Sequence, residues 1–141
     1  MRIAFGADEG GTPVADDVAA ALSLRGDELV FHVADEPWPD VGRLVGEAVA
    51  SGRADMGVVC CWTGTGVSIA ANKVPGVRAA LCADAETARG ARRWNDANVL
   101  ALSLRLTTRT VALEVLQAFL DTQPDPDEAE NIAKVSGPDR P

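Results

Sequence analysis

The sequence predicts an α/β fold, a mostly parallel sheet with helices on both faces. Short apolar runs alternate with helix-length amphipathic segments along most of the chain. Helix starts and stops are punctuated by Thr-Pro, Gly and Pro between those segments. The 141 residues, 47% of them hydrophobic, suffice for one domain with a real core.

The elements follow in order. Residues 2–6 read as a first strand ending at Gly6, and Asp8-Glu9-Gly10-Gly11 as a loop. Thr12 can cap a helix that has Pro13 at its first position, with Val14, Val18, Ala21 and Leu22 on one face. Gly26 stops it. Leu29 to Val33 is a second strand, and the two prolines between Asp35 and Asp40 mark a loop. Val41 to Ser51 is a helix with Leu44, Val45, Ala48 and Val49 inside, stopped by Gly52. Met56 to Cys60 is strand three. A glycine-rich loop and a helix to about Lys73 follow it. Val77 to Cys82, a helix over 85–94, Val99 to Leu102 and a helix over 107–121 complete the pattern. Right-handed crossovers make this a Rossmann-like three-layer sandwich on a five-stranded parallel sheet. The domain is expected to span 1–122. Residues 123–141 form a tail, with a short helix near 128–135 and disorder at the end.

The charge balance is 13 − 21 = −8, which argues against a nucleic-acid partner. No run reaches transmembrane length and the start lacks a signal-peptide pattern, so a cytoplasmic location is expected. Three cysteines give no paired disulfide framework, and a single histidine excludes a His-rich metal site. Neither a metal nor another cofactor is expected.

The stretch Cys60 to Lys73 organises the chemistry. Gly64 and Gly66 permit close backbone approach, and Ser68, Ala70 and Ala71 suit a helix packed tightly on a sheet. Amides exposed at such a helix start can hold an anion or a developing oxyanion. Cys61 and Thr63 stand at the mouth of this loop. Amide-rich loops in general favour thiolate over thiol, which makes a cysteine there a usable base. In folds of this kind sites lie at the carboxyl ends of strands, where Asp8 also falls.

The residues that carry a family resemblance are Gly6-Ala7-Asp8, Cys61 to Lys73, Pro75 to Cys82 and Asn95 to Leu102. With these the chain resembles the ribose-5-phosphate isomerase B family, which also contains galactose-6-phosphate isomerase subunits. The resemblance covers nearly the whole length. It implies metal-free interconversion of aldose and ketose sugar phosphates through a cis-enediol(ate). By position, Cys61 would move the proton between carbons, and Asp8 and Thr63 would serve the hydroxyl and carbonyl protons. The amides around Gly64, Thr65 and Gly66, with Asn95, would hold the enediolate oxygen. Preorganised donors of this kind contribute about 3–4 kcal/mol each. Arg105 matches a phosphate-side arginine. The resemblance further implies a homodimer with each site built at the subunit interface and the tail crossing over.

Several positions depart from the family pattern. Glu9 and Trp94 stand where the family has histidines, Trp62 where it has glycine, and Trp38 where it has tyrosine. The tail keeps only Lys134 of its phosphate-gripping cations. An acid near the phosphate position and fewer bidentate cations point away from ribose 5-phosphate. Tryptophan faces suit the C–H face of a sugar. The expected function is therefore an aldose–ketose isomerase of altered specificity, acting on a sugar or sugar phosphate. The alternative is a non-catalytic sugar-binding or pseudoenzyme subunit. Nucleotide binding is disfavoured, because the loop lacks the phosphate-cradling spacing. Cys60, Cys82 and His32 read as structural, Asn98 as a backbone holder, and Arg92 and Arg93 as a solvated helix face.

Overall fold

The computed structural model describes residues 1–8 and 12–136. Its strands are β1 (Arg2–Asp8), β2 (Glu28–Glu36), β3 (Met56–Cys61), β4 (Ala79–Leu81) and β5 (Val99–Ser103). All pair in parallel, in the order β2-β1-β3-β5-β4. The helices are α1 (Pro13–Leu24), α2 (Trp38–Ala50), α3 (Thr65–Asn72), α4 (Ala85–Asn95) and α5 (Arg109–Asp121). A 3-10 turn, Pro126–Glu128, leads into α6 (Ala129–Val135).

The two faces of the sheet have separate apolar layers. On one, Ile3, Phe5, Val58, Cys60, Leu100 and Leu102 pack against α1, α4 and α5. On the other, Ala4, Val59, Cys61, Val99 and Ala101 pack against α2 and α3. The period of two along each strand sends neighbours to opposite layers. This is the expected three-layer sandwich.

Three local readings are corrected. Asp35 and Glu36 extend β2, and Trp38 to Asp40 open α2 rather than belonging to a loop. Proline is tolerated in a first helical turn, where its missing N–H has no partner to lose, so Pro39 does not delay the start. β4 is shorter than its apolar run: before it, the Arg78 N–H donates to the Asn98 side chain at 2.7 Å and not to a neighbouring strand. Arg92 is not solvated: it is 3% exposed. It donates to Ala97 O at 2.6 Å, Asp96 Oδ1 at 2.8 Å and Thr122 O at 3.2 Å, and stacks over Phe119. A buried guanidinium requires such partners, and these weld α4 to the end of α5. The expected end disorder lies outside the described residues, as do Glu9, Gly10 and Gly11.

Cys60 and Cys82 are both buried, as expected. Burial pushes the Cys60 thiol up to about 12 and the Cys82 thiol up to about 11. In the unfolded chain both ionise near the ordinary value of 9.0. Between pH 9 and 11 the unfolded chain therefore binds fewer protons than the fold, and stability falls as pH rises through that window. The slope contributed is about 1.4 kcal/mol per pH unit for each thiol. Urea unfolding at about pH 8 and about pH 10.5 checks this, and Cys82→Ala should make the decline shallower.

Candidate active site

Strand register places the first three residues at one end of the sheet. β1 pairs Ala7 with Cys60, and β3 pairs Cys61 with Ser103 of β5. Asp8 follows Ala7 and Cys61 follows Cys60, so each ends its strand just past the last β1–β3 pair. Alternation then puts Asp8, Cys61 and Ser103 on the α2–α3 face, at the carboxyl ends of three adjacent strands about 4.8 Å apart. The raised Cys60 thiol carries a trace of this grouping: after burial, its causes are the nearby Cys61 and Asp8. Asp8 is half-buried. Cys61 is 5% exposed and sits at the floor of this end of the sheet, against the α2–α3 layer.

The loop above is held down by β5. Gly64 has φ 75°, and a Cβ there would meet Leu102 C at 2.8 Å and Ser103 N at 2.9 Å. No side chain fits, so the loop lies on the strand. Leu104 N donates to Cys61 O at 3.0 Å, and Arg105 N donates to Trp62 O at 2.8 Å. The Ser103 hydroxyl donates to Trp62 O at 3.2 Å and accepts from Leu106 N at 3.1 Å. Ser103 was not singled out from sequence; its signal was a serine ending an otherwise apolar strand.

The loop delivers its chain into α3 with Gly64 as the N-cap and no capping side chain. The first helical bond runs from Ser68 N to Gly64 O at 3.3 Å. That leaves the amides of Thr65, Gly66 and Val67 without an acceptor inside the helix. They form a positive donor set at the same end of the sheet as Cys61 and Asp8. Thr63 and Thr65 share a hydroxyl–hydroxyl hydrogen bond of 2.7 Å, so Thr65 orients Thr63. Trp62 is 60% exposed, and Arg105 stands exposed in the turn after β5.

Trp94, Asn95 and Lys134 do not join this group. α4 runs back from the carboxyl end, so Asn95 emerges beside the start of β5. Four strand steps, about 13 Å, separate Val99 from Ser103, and Asn95 lies beyond Val99. Asn95 instead lines a hollow of about 300 Å³ with Asn72, Arg78, Ala79 and Val135 of α6. Lys134 is exposed on α6. Trp94 folds back on its own helix: a Cβ at Gly90 would meet its ring at 2.8 Å.

This second cluster is rigidly built. Asp96, at φ 45°, accepts from Arg78 at 3.1 Å and from Arg92 at 2.8 Å. Asn98 holds the backbone, accepting from Arg78 N at 2.7 Å and donating to Gly76 O at 2.9 Å. Among the described residues no group of three His, Cys, Asp or Glu side chains could hold a metal, and no helix is long and apolar enough to cross a membrane.

The model of the family described as Ribose/Galactose Isomerase matches residues 3–136. The chain belongs to this family. It is 36% identical over 126 residues to ribose-5-phosphate isomerase B of Escherichia coli, covering 86% of this chain and 85% of that one. It is 34% identical over 128 residues to D-erythrulose-4-phosphate isomerase of Pectobacterium atrosepticum, covering 87% and 84%. The solved ribose-5-phosphate isomerase B of Clostridium thermocellum superposes with a TM-score of 0.89 at 39% identity, covering 96% of this chain and 95% of that one. These relatives at similar distance differ in the sugar their names carry, so family membership leaves the substrate open.

Proposed function

We propose that the chain is an aldose–ketose isomerase acting on a small sugar phosphate or sugar through a cis-enediolate. The observation that carries this reading is the convergence of Cys61, Asp8 and the open amides of α3 at one end of the sheet. Cys61 as thiolate takes the proton from the carbon next to the carbonyl, and the electron pair moves onto the carbonyl oxygen. The amides of Thr65, Gly66 and Val67 face that developing charge at a helix start. Asp8 and the Thr63 hydroxyl pass the proton between the two oxygens. Cys61 returns its proton to the neighbouring carbon, so no redox partner is consumed.

The working form in this reading is a homodimer with two composite sites. The carboxyl-end group of one protomer meets Asn95, Trp94 and Lys134 of the other. Two features support it. Within one chain the two groups stand at opposite ends of the sheet. Trp62, Ile69 and Leu106 are each at least 60% exposed around the first group, an apolar surface that a second copy would cover. The dimer is expected to work in the cytoplasm.

Trp94 in place of the family's ring-opening histidine favours an open-chain substrate. The test is incorporation of solvent deuterium at carbon, followed by NMR. D-erythrulose 4-phosphate, D-ribose 5-phosphate and the unphosphorylated sugars are offered in turn. Exchange is expected, fastest with the open-chain four-carbon compound. A protein that binds these sugars and exchanges none of them is the non-catalytic subunit of the alternative reading.

A further inference from the structure

α2 and α3 meet through a run of close approaches spaced four residues apart. A Cβ at Gly46 would meet Val74 Cγ2 at 3.1 Å, and one at Gly42 would meet Ala70 Cβ and Val67 O at 2.7 Å. One turn earlier, a Cβ at Gly66 would meet the Trp38 ring at 2.7, 2.9 and 3.1 Å. Residue 38 thus faces 66, as 42 faces 70 and 46 faces 74. The two helices lie side by side with backbones nearly touching, and glycine makes this approach possible. Trp38 is the position where this seam reaches the carboxyl ends of the strands.

Its height is set from below as well. A Cβ at Gly6 would meet Val41 Cγ1 at 2.8 Å and Val45 Cγ2 at 3.0 Å, so α2 presses on β1 there. Trp38 lies almost one turn before Val41. It therefore stands beyond Gly6, at the level of Asp8, which shares Gly6's face of the sheet. The indole lies against Gly66, whose amide is one of the three open donors, and remains 47% exposed. One side is spent on the first turn of α3, and the rest is free apolar surface at the mouth of the donor set.

We propose that Trp38 is a specificity-determining residue of this site, a flat wall beside the α3 amides that accepts an extended carbon chain and excludes a bulkier ring. This rests on the isomerase reading above and names the side chain that selects its substrate. The indole offers its face to the C–H groups of a linear ketose, while the amides take the oxygen. A furanose ring held at the same amides would press on the indole, which cannot retreat because Gly66 backs it.

Calorimetric binding of D-erythrulose 4-phosphate and D-ribose 5-phosphate to the full-length wild type, Trp38→Phe and Trp38→Ala tests this. Deuterium exchange is measured on the same proteins. Trp38→Ala should weaken the four-carbon ligand about two- to tenfold, the range of one lost aromatic contact. It should spare or strengthen the five-carbon one, so that the preference ratio inverts or narrows by at least that factor. Trp38→Phe keeps a flat ring and should stay close to wild type. A loss of structure would lower both affinities together and leave the ratio alone, and that result overturns the proposal. So does a wild type that prefers the five-carbon sugar. If the ratio shifts in binding while no variant exchanges deuterium, the isomerase reading fails and the Trp38 assignment stands.

Discussion

Cys61→Ala should abolish solvent exchange at carbon while the protein stays folded. The thiolate is the group that takes hydrogen from carbon in the proposed cycle, and Asp8 lies one strand away and serves oxygens instead. Removing a positioned base of this kind typically costs about 10²- to 10⁴-fold in rate. The structural cost is small by comparison. Cys61 contributes one sulfur to a layer formed by Val59, Val67, Ala71 and their neighbours, and alanine leaves a void of about one atom. The midpoint of thermal unfolding should therefore move by only a few degrees, consistent with about 1 kcal/mol. Exchange by NMR and unfolding by circular dichroism, on the same preparation, separate the two effects. A Cys61→Ala protein that exchanges within about threefold of wild type would remove the sulfur from the mechanism. Cys60→Ala is the matched control. That sulfur lies in the opposite layer with no exposure, so its loss should act on stability and spare the rate.

Much of this arrangement was legible before any coordinates. The alternation of apolar runs with capped helices led directly to the five parallel strands. The step from Cys60 to Cys61 implied that the two sulfurs face opposite sides of the sheet, and they lie in opposite layers. Asp8 and Cys61 were legible as residues at the carboxyl ends of strands; that their strands are neighbours comes from the sheet order. The misreadings have specific causes. Pro37 and Pro39 read as loop residues, yet a first helical turn accepts proline, so Trp38 stands on a helix start and not in a loop. Arg92 reads as solvated from its charge and its place beside Arg93 on a helix. Its carbonyl partners, Thr122 and Ala97, come from segments whose proximity no local pattern encodes. The contact of the Trp94 ring with Gly90, one turn earlier on α4, has no signal in the sequence beyond the glycine itself.

The position of Asn95 leads to the prediction with the clearest outcome. Sequence order sets Asn95 just ahead of β5, and in a parallel sheet that is the end remote from Cys61. A side chain there can assist the enediolate oxygen formed at Cys61 only if it belongs to another protomer. Asn95→Ala should then lower exchange about 10²- to 10³-fold, as loss of one oxyanion donor does elsewhere. Cys61→Ala is inactive for a different reason and on the other surface. Refolding the two variants together should restore what neither has. Random pairing makes half of the dimers mixed, and each mixed dimer carries one intact site and one doubly damaged one, so activity returns to about a quarter of wild type. Differently tagged chains allow the mixed dimer to be isolated, and its rate should be about half. A site completed within one chain predicts no recovery at any mixing ratio, because every chain then carries a defect in its own site. The same experiment with Cys61→Ala and Asp8→Asn should recover nothing. Those two residues end neighbouring strands of one sheet, so every site in the mixture lacks one or the other.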